Sequence, residues 1–543
     1  MMSQHNIQRL NSTTSASVSS DSYLRQAEKD DTSAQDNSFP LTVSGLPGED
    51  LNWDNDPDNA RNWPLGKKWT CVCIGSLYAF CPILASTMIA PGLPDVALKY
   101  EITNPTVVAL TLSIFLLSYG IGVCLPAYVL CLNEQYLLTT IQPLIFGPLS
   151  EIYGRKWLFH IANILTMAFG LGCAFSPSTG SLVAFRFLSG FTGSAPIPLG
   201  GGLMTDLFSE RDRGHPSSLF ILGLLIGPIV GPVTGGFVTQ QVGIKWVFIV
   251  ISCVCGFASL VGIPLLKETY APIIRMERAV RSGDPEAPKR VHASLEHLQG
   301  SRFKYFVTNL SRPIVLLFRS FICFILSLYT ALVYGIYYLL FSIFGDFFGK
   351  TYGFGAGVGG LTYLGLGIGF ATATIFGSKL GEAWYHRLAA KNCGVGKPEM
   401  RIPAMFVGSF FIPVGLFWYG WSAQAKLHWI MPIIGSGIFG FGMMAVFVPV
   451  QLYLIDTFTY SASAIAAATT FRSLLGFAFP LFSVQMYDAM GQGGGNSMLA
   501  GLAIVLGIPF PIWIYFRGEQ LRARNPLTAA SVVPKSSVQK ELV

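Results

Sequence analysis

Apolar residues in this chain come in runs of about 20, parted by short polar turns, from about position 68 to about 517. A helix of that length crosses a hydrocarbon layer of about 30 Å. The pattern predicts twelve spans, at roughly 68–90, 107–149 with an interruption, 157–176, 181–204, 217–238, 245–266, 318–344, 355–377, 402–421, 429–453, 462–487 and 497–516. Short connections make successive spans antiparallel. A polar, basic stretch, 267–316, divides them six and six. The fold class expected is therefore an all-α membrane protein of twelve transmembrane helices in two pseudo-symmetric six-helix bundles, 68–266 and 317–517. Residues 1–67 are rich in Ser, Asp, Asn and Gln and read as a disordered cytosolic tail without a signal peptide, and 518–543 as a second cytosolic tail.

Composition agrees with lipid as the solvent. Of the 543 residues 51% are hydrophobic and 12% charged, about half the charge a soluble domain carries. With the N-terminus inside, about 30 of the 36 Lys and Arg fall on the cytosolic side, which places both termini there. The net charge of +7 is that topological bias, spread over several loops, and predicts no nucleic-acid partner. The ten Cys lie mostly within spans without CxxC pairs, and read as small apolar fillers. No metal-ligand cluster, nucleophile elbow or phosphate loop appears, so neither an enzyme nor a metal or cofactor is expected.

Four features carry candidate chemistry. The run GPLSEIYGRK (Gly147–Lys156) follows span two. Gly147 and Gly154 permit close helix approach and a tight turn, and Glu151 with Arg155 and Lys156 can form a charge network that breaks and reforms. Lys156 reads equally as a simple interfacial anchor. Gly377–Arg387 (GSKLGEAWYHR), after span eight, is a weak second copy of that run. In span five, GLLIGPIVGPVTGG sets Gly227, Gly231 and Gly235 along one face beside Gly236, while Pro228 and Pro232 remove amide donors and bend the helix; a packing seam explains the glycines alone.

Ionisable groups within spans are costly and so mark function. Arg186 in span four and Arg472 in span eleven are the candidates for proton coupling, with an inner-surface anchor as the alternative for Arg472. Asp206 and Asp456 end spans four and ten, as gate or salt-bridge partners rather than deep proton carriers. No proton-binding carboxylate is identifiable. Tyr334 and Tyr338 share a face of span seven and, with Gln451 and Tyr453 of span ten, are the candidate substrate pocket; packing is the alternative for each tyrosine.

The six-plus-six plan and GPLSEIYGRK resemble the major facilitator superfamily, whose halves rock about a central site. DPDNARNWPLGKKW (Asp56–Trp69), KETY (Lys267–Tyr270), RP (Arg312–Pro313), YGIYYLLF, KPEMRIP (Lys397–Pro403), GLFWYGW (Gly415–Trp421) and YLIDTF followed by SASAIAA look like its fungal twelve-spanner drug:proton antiporters, over Asp56–Arg524. The resemblance implies proton-driven export of a small amphipathic molecule (drug, toxin or secondary metabolite) across the plasma membrane, or the vacuolar membrane, by a monomer. The alternative is proton-coupled uptake, or organic-acid or polyamine transport, by the same fold. It also implies that RFLSGFTGSAPIP carries the coupling arginine, Arg186, and that the span-five Gly-Pro run is the antiporter signature. GQGGGNS (Gly491–Ser497) departs from relatives, which commonly keep a tryptophan there.

A larger departure is VCLPAYVLCLNEQYLLTTIQ, 123–142, interposed in span two. Residues 107–122 alone make about 24 Å of helix, whereas joined to 143–149 they make about 35 Å. An extra span would turn the GPLSEIYGRK loop outward. The reading is therefore a retained in-frame intron absent from the mature protein, with codons at Val123–Cys124, Leu138–Thr139 and Gln142 compatible with splice signals; the alternative is a lineage-specific outer loop. Sequencing the transcript across Gly122–Pro143 decides between them.

Overall fold

The computed structural model describes residues 53–124, 150, 153–209, 212, 214–281, 316–392, 396–458, 461–524 and 528. Apart from 3-10 and π turns and one isolated bridge, Phe458 with Thr528, the described elements are α-helices. In chain order they are α1 Leu65–Thr87, α2 Leu93–Lys99, α3 Pro105–Cys124, α4 Arg155–Ala174, α5 Thr179–Gly193, α6 Pro196–Leu207, α7 Gly214–Val242, α8 Ile244–Leu265 and α9 Ala271–Arg281, then α10 Phe321–Tyr352, α11 Ala356–Leu361, α12 Leu364–Thr372, α13 Ser378–Lys391, α14 Ile402–Gln424, α15 Ile430–Thr457, α16 Ser461–Leu481, α17 Ser483–Gly507 and α18 Pro509–Arg524.

Among the described residues, ten stretches are long and apolar enough to cross a membrane, with Pro105–Ile121 as a shorter apolar helix, against the twelve expected. Two physical reasons account for the difference. Span two runs into 125–149, outside the described residues, where Gly147 and all of the 123–142 segment except Val123 and Cys124 also fall. Span four is broken: Pro196 begins a new helix, and the two pieces, α5 and α6, are each too short to cross alone. The last two spans are divided at Gly491, within the expected connection 488–496, where its positive φ of 70° with ψ 170° interrupts α17.

Large apolar side chains stay uncovered on the outer faces of the spans, among them Leu260 (74% exposed), Ile368 and Phe516. In water such a surface would be unfavourable; against lipid tails it costs nothing. The chain is a multi-pass membrane protein.

Helix contacts explain the glycine pattern. α7 lies along α1 with glycines at the crossing: a Cβ on Gly223, Gly227, Gly231 or Gly235 would meet Ser76, Ile83, Thr87 or the Met88 carbonyl at under 3 Å. The neighbouring face of α7 meets the later half of the chain. A Cβ on Gly236 would lie 2.3 Å from the Ala356 carbonyl, and one on Gly360 would lie 2.5 Å from that of Pro232. Gln240 Oε1 accepts the Gly357 amide at 2.7 Å, and Gln485 Nε2 donates to Thr106 Oγ1 at 2.7 Å. Both bonds join residues before 267 to residues after 316. Pro228 and Pro232 sit inside α7 without ending it.

Candidate functional site

Arg186 is 1% exposed on α5 and has no carboxylate beside it among its contacts. It donates from Nη1 to the Ala85 carbonyl at 2.7 Å, from Nε to that of Thr111 at 3.1 Å and from Nη2 to that of Leu112 at 3.4 Å. Its Cζ lies 5.1 Å from the Phe115 ring centre. One guanidinium thus binds α5 to α1 and α3, using carbonyls as acceptors where burial forbids an unpartnered charge.

Phe115 stacks on Tyr119 at 6.3 Å between centres. Tyr119 lies within electrostatic reach of Tyr334 and Arg472. Arg472, on α16, lies against two adjoining rings, its Cζ 4.9 Å from both Tyr334 and Phe447, whose centres are 6.2 Å apart. Tyr334 packs on Tyr338 and Tyr337, with Phe341 and Phe370 behind. The two span arginines, on helices from the two halves of the chain, are therefore linked through one aromatic cluster. Tyr334 and Tyr338 belong to it. Gln451 and Tyr453 do not: Gln451 is exposed, and Tyr453 is buried near Glu399 and Arg522, further along α15. The signal for Phe447 was four residues before Gln451, one helical turn away.

A second constellation sits where α4 begins and α6 ends. Arg155 donates from Nε and Nη2 to the two oxygens of Asp206, at 2.5 and 3.2 Å, and Thr269 Oγ1 donates to Asp206 at 3.1 Å. Glu268 Oε1 accepts the Arg155 amide and Oε2 the Lys156 amide, each at 3.0 Å, so a carboxylate from beyond α8 caps α4 where the helix dipole favours it. Two glycines leave the room. Gly154, at φ 87°, would place a Cβ 2.3 Å from Glu268 Oε2, and Gly202 is crossed by the Arg155 guanidinium. Lys156 makes no ion pair among the described residues; its Nζ lies 5.4 Å from the Trp157 ring. Glu151 is outside the described residues. Glu268 stands in KETY, a string legible for resemblance but not for its role, because its target is 113 positions away in sequence.

The later half repeats this plan at a different place from the one expected. Arg401, just before α14, donates from Nε to Asp456 at the end of α15, at 2.5 Å. That matches Arg155 and Asp206 in position relative to the spans. Arg387 of the presumed second copy is exposed, and Gly377, Gly381 and Glu382 line, with Phe376, Met444 and Arg401, an open apolar groove of about 800 Å³. Beside Arg401, Glu399 receives Nε and Nη2 of Arg522 at 2.7 and 2.8 Å, in a pair under 10% exposed.

The Glu268→Ala variant is expected to lower stability by about 1 kcal/mol, the usual worth of a helix cap, and Glu268→Gln by less. Thermal unfolding in detergent reads this, and an unchanged midpoint for Glu268→Ala would remove the cap's role.

Residues 75–480 match the family model described as Major Facilitator Superfamily. The efflux pump radE of Floropilus chiversii is 38% identical over 477 residues, 87% of this chain and 85% of that protein. The MFS-type transporter hepF of Aspergillus oryzae is 40% identical over 506 residues, 92% of this chain and 97% of that one. A partially occluded inward-open structure of the xylose transporter XylE from E. coli superposes with a TM-score of 0.58 at 14% identity, covering 83% of this chain and 98% of that one.

Proposed function

We propose, from the fact that this chain belongs to the major facilitator superfamily, that it is a proton-coupled antiporter exporting a small amphipathic molecule by alternating access. Membership makes it a membrane transporter homologous to fungal efflux pumps and not an enzyme. The finer reading concerns direction, proton coupling and substrate, in a twelve-helix monomer of the plasma membrane with cytosolic termini.

The observation that carries it is the interior arginine and tyrosine cluster, contributed by helices of both halves and closed over at one end by the α7–α11 crossing. With cytosolic termini, that end is extracellular. Arg155 with Asp206, and Arg401 with Asp456, would hold each half together at the inner face while the halves rock. Arg186 would contribute to coupling by tying α5 to α1 and α3, so that the three helices move together. Export is supported by relatives of 38% and 37% identity that bear the name efflux pump.

Proton-coupled uptake, of an organic acid or a polyamine, is the second reading. An alternating-access fold serves either direction, and solved structures of the same fold include a proton:xylose symporter. Inside-out vesicles separate the two readings. Export predicts that an acid interior drives candidate metabolites inward, with protons moving out, and that a protonophore stops it. Accumulation by intact cells that collapses with a protonophore would instead establish uptake.

A further inference from the structure

The interior is one-sided in charge. Arg472 makes no hydrogen bond among the described residues, and its Nε is buried without a partner. The hydroxyls of Tyr119 and Tyr337, on side chains 6% and 3% exposed, are also buried without partners. A guanidinium offers five donors in a flat fork, and the rings of Tyr334 and Phe447 beside it form no hydrogen bond with them among the described residues. The carboxylates on the helices that build this cluster are used elsewhere: Asp346 of α10 pairs with Lys350, and Asp456 of α15 with Arg401. α16 carries none.

From this we infer that the cluster takes an organic anion, an oxyanion on a flat apolar skeleton, with Arg472 as its counter-ion. The inference rests on the cluster being the transport site. An aromatic box often signals a cationic ligand, because ring faces attract positive charge. Here Arg472 already lies against both Tyr334 and Phe447, so a second cation at these rings meets its repulsion. An oxyanion meets the fork of Arg472 and the Tyr119 hydroxyl as donors, and its skeleton meets the neighbouring rings. Of the second reading's substrates, this favours an organic acid over a polyamine.

The test uses the full chain in lipid nanodiscs and three probes on one skeleton: 2-naphthalenesulfonate, the neutral 2-naphthalenesulfonamide and 2-naphthyltrimethylammonium. Equilibrium binding is expected to favour the sulfonate by about tenfold or more, the scale of a charge-assisted hydrogen bond. Arg472→Gln should erase that preference and Arg472→Lys keep part of it. Tyr119→Phe, which removes only a hydroxyl, should weaken the sulfonate alone by a few fold, and it serves if the arginine variants do not fold. Sulfonate binding unchanged in Arg472→Gln, or tighter binding of the ammonium probe, overturns the inference. If the wild-type protein in vesicles nevertheless moves the neutral or cationic probe down a proton gradient, the transport reading stands without the anion. If no probe binds and none moves, both fall.

Discussion

Arg186→Ala is expected to leave less than about a tenth of wild-type transport and to lower stability by about 3 kcal/mol. The size follows from three simultaneous losses. The carbonyls of Ala85, Thr111 and Leu112 lose a charged donor, α5 loses its tie to α1 and α3, and the Phe115 ring loses the cation above it. Arg186→Lys keeps the charge but not the planar fork, so it should hold one or two of the carbonyls and fall between the two. Transport in vesicles and thermal unfolding in detergent measure both effects. Wild-type transport by a folded Arg186→Ala protein would reduce the residue to a packing element.

Gly236→Val should be comparably severe for a different reason. A Cβ at 236 would stand 2.3 Å from the Ala356 carbonyl and 3.2 Å from the Gly360 Cα, both backbone atoms that no rotamer change can clear. The α7–α11 crossing must then open, and with it the seal beside Gln240 and Gly357. Transport is expected to fall by about tenfold or more, with outer-end residues becoming accessible to a membrane-impermeant thiol reagent after cysteine placement, since overpacking of a tight contact costs about 1–3 kcal/mol. Gly201→Ala is the matched control, because nothing lies within 4 Å of its added Cβ. Equal loss in both variants would show that glycine replacement as such, and not the crossing, is responsible.

Much of this was legible from local pattern. Runs of about 20 apolar residues mark spans because the bilayer sets their length, and a charged residue within such a run stands out as Arg186 and Arg472 do. What local pattern could not supply was partnership. Glu268 reaches Arg155 across 113 positions, and Arg401 rather than Arg387 meets Asp456, because pairing depends on which helix ends the fold brings together. The split of span four into α5 and α6 was missed since Ser194–Pro196 is as apolar as its flanks, and hydropathy is blind to a proline break. Gln451 and Tyr453 were grouped with Tyr334 by residue type. Helical geometry turns Tyr453 away from the face that carries Phe447 toward Arg472, whereas Gln451 lies one turn beyond Phe447 on that face and is exposed.

The central claim is that the halves must part at the end where they now meet for the interior arginines to face the other side. Thr106 and Gln485, whose side chains touch at 2.7 Å across that boundary, provide the handle. Thr106→Cys with Gln485→Cys, bridged by a short bis-methanethiosulfonate reagent that spans the length of the replaced Gln485 side chain, should drop transport of the substrate found in the vesicle assay to background, and reduction should restore it, while either single variant given the same reagent keeps its rate. Full transport by the cross-linked protein would contradict alternating access through this end.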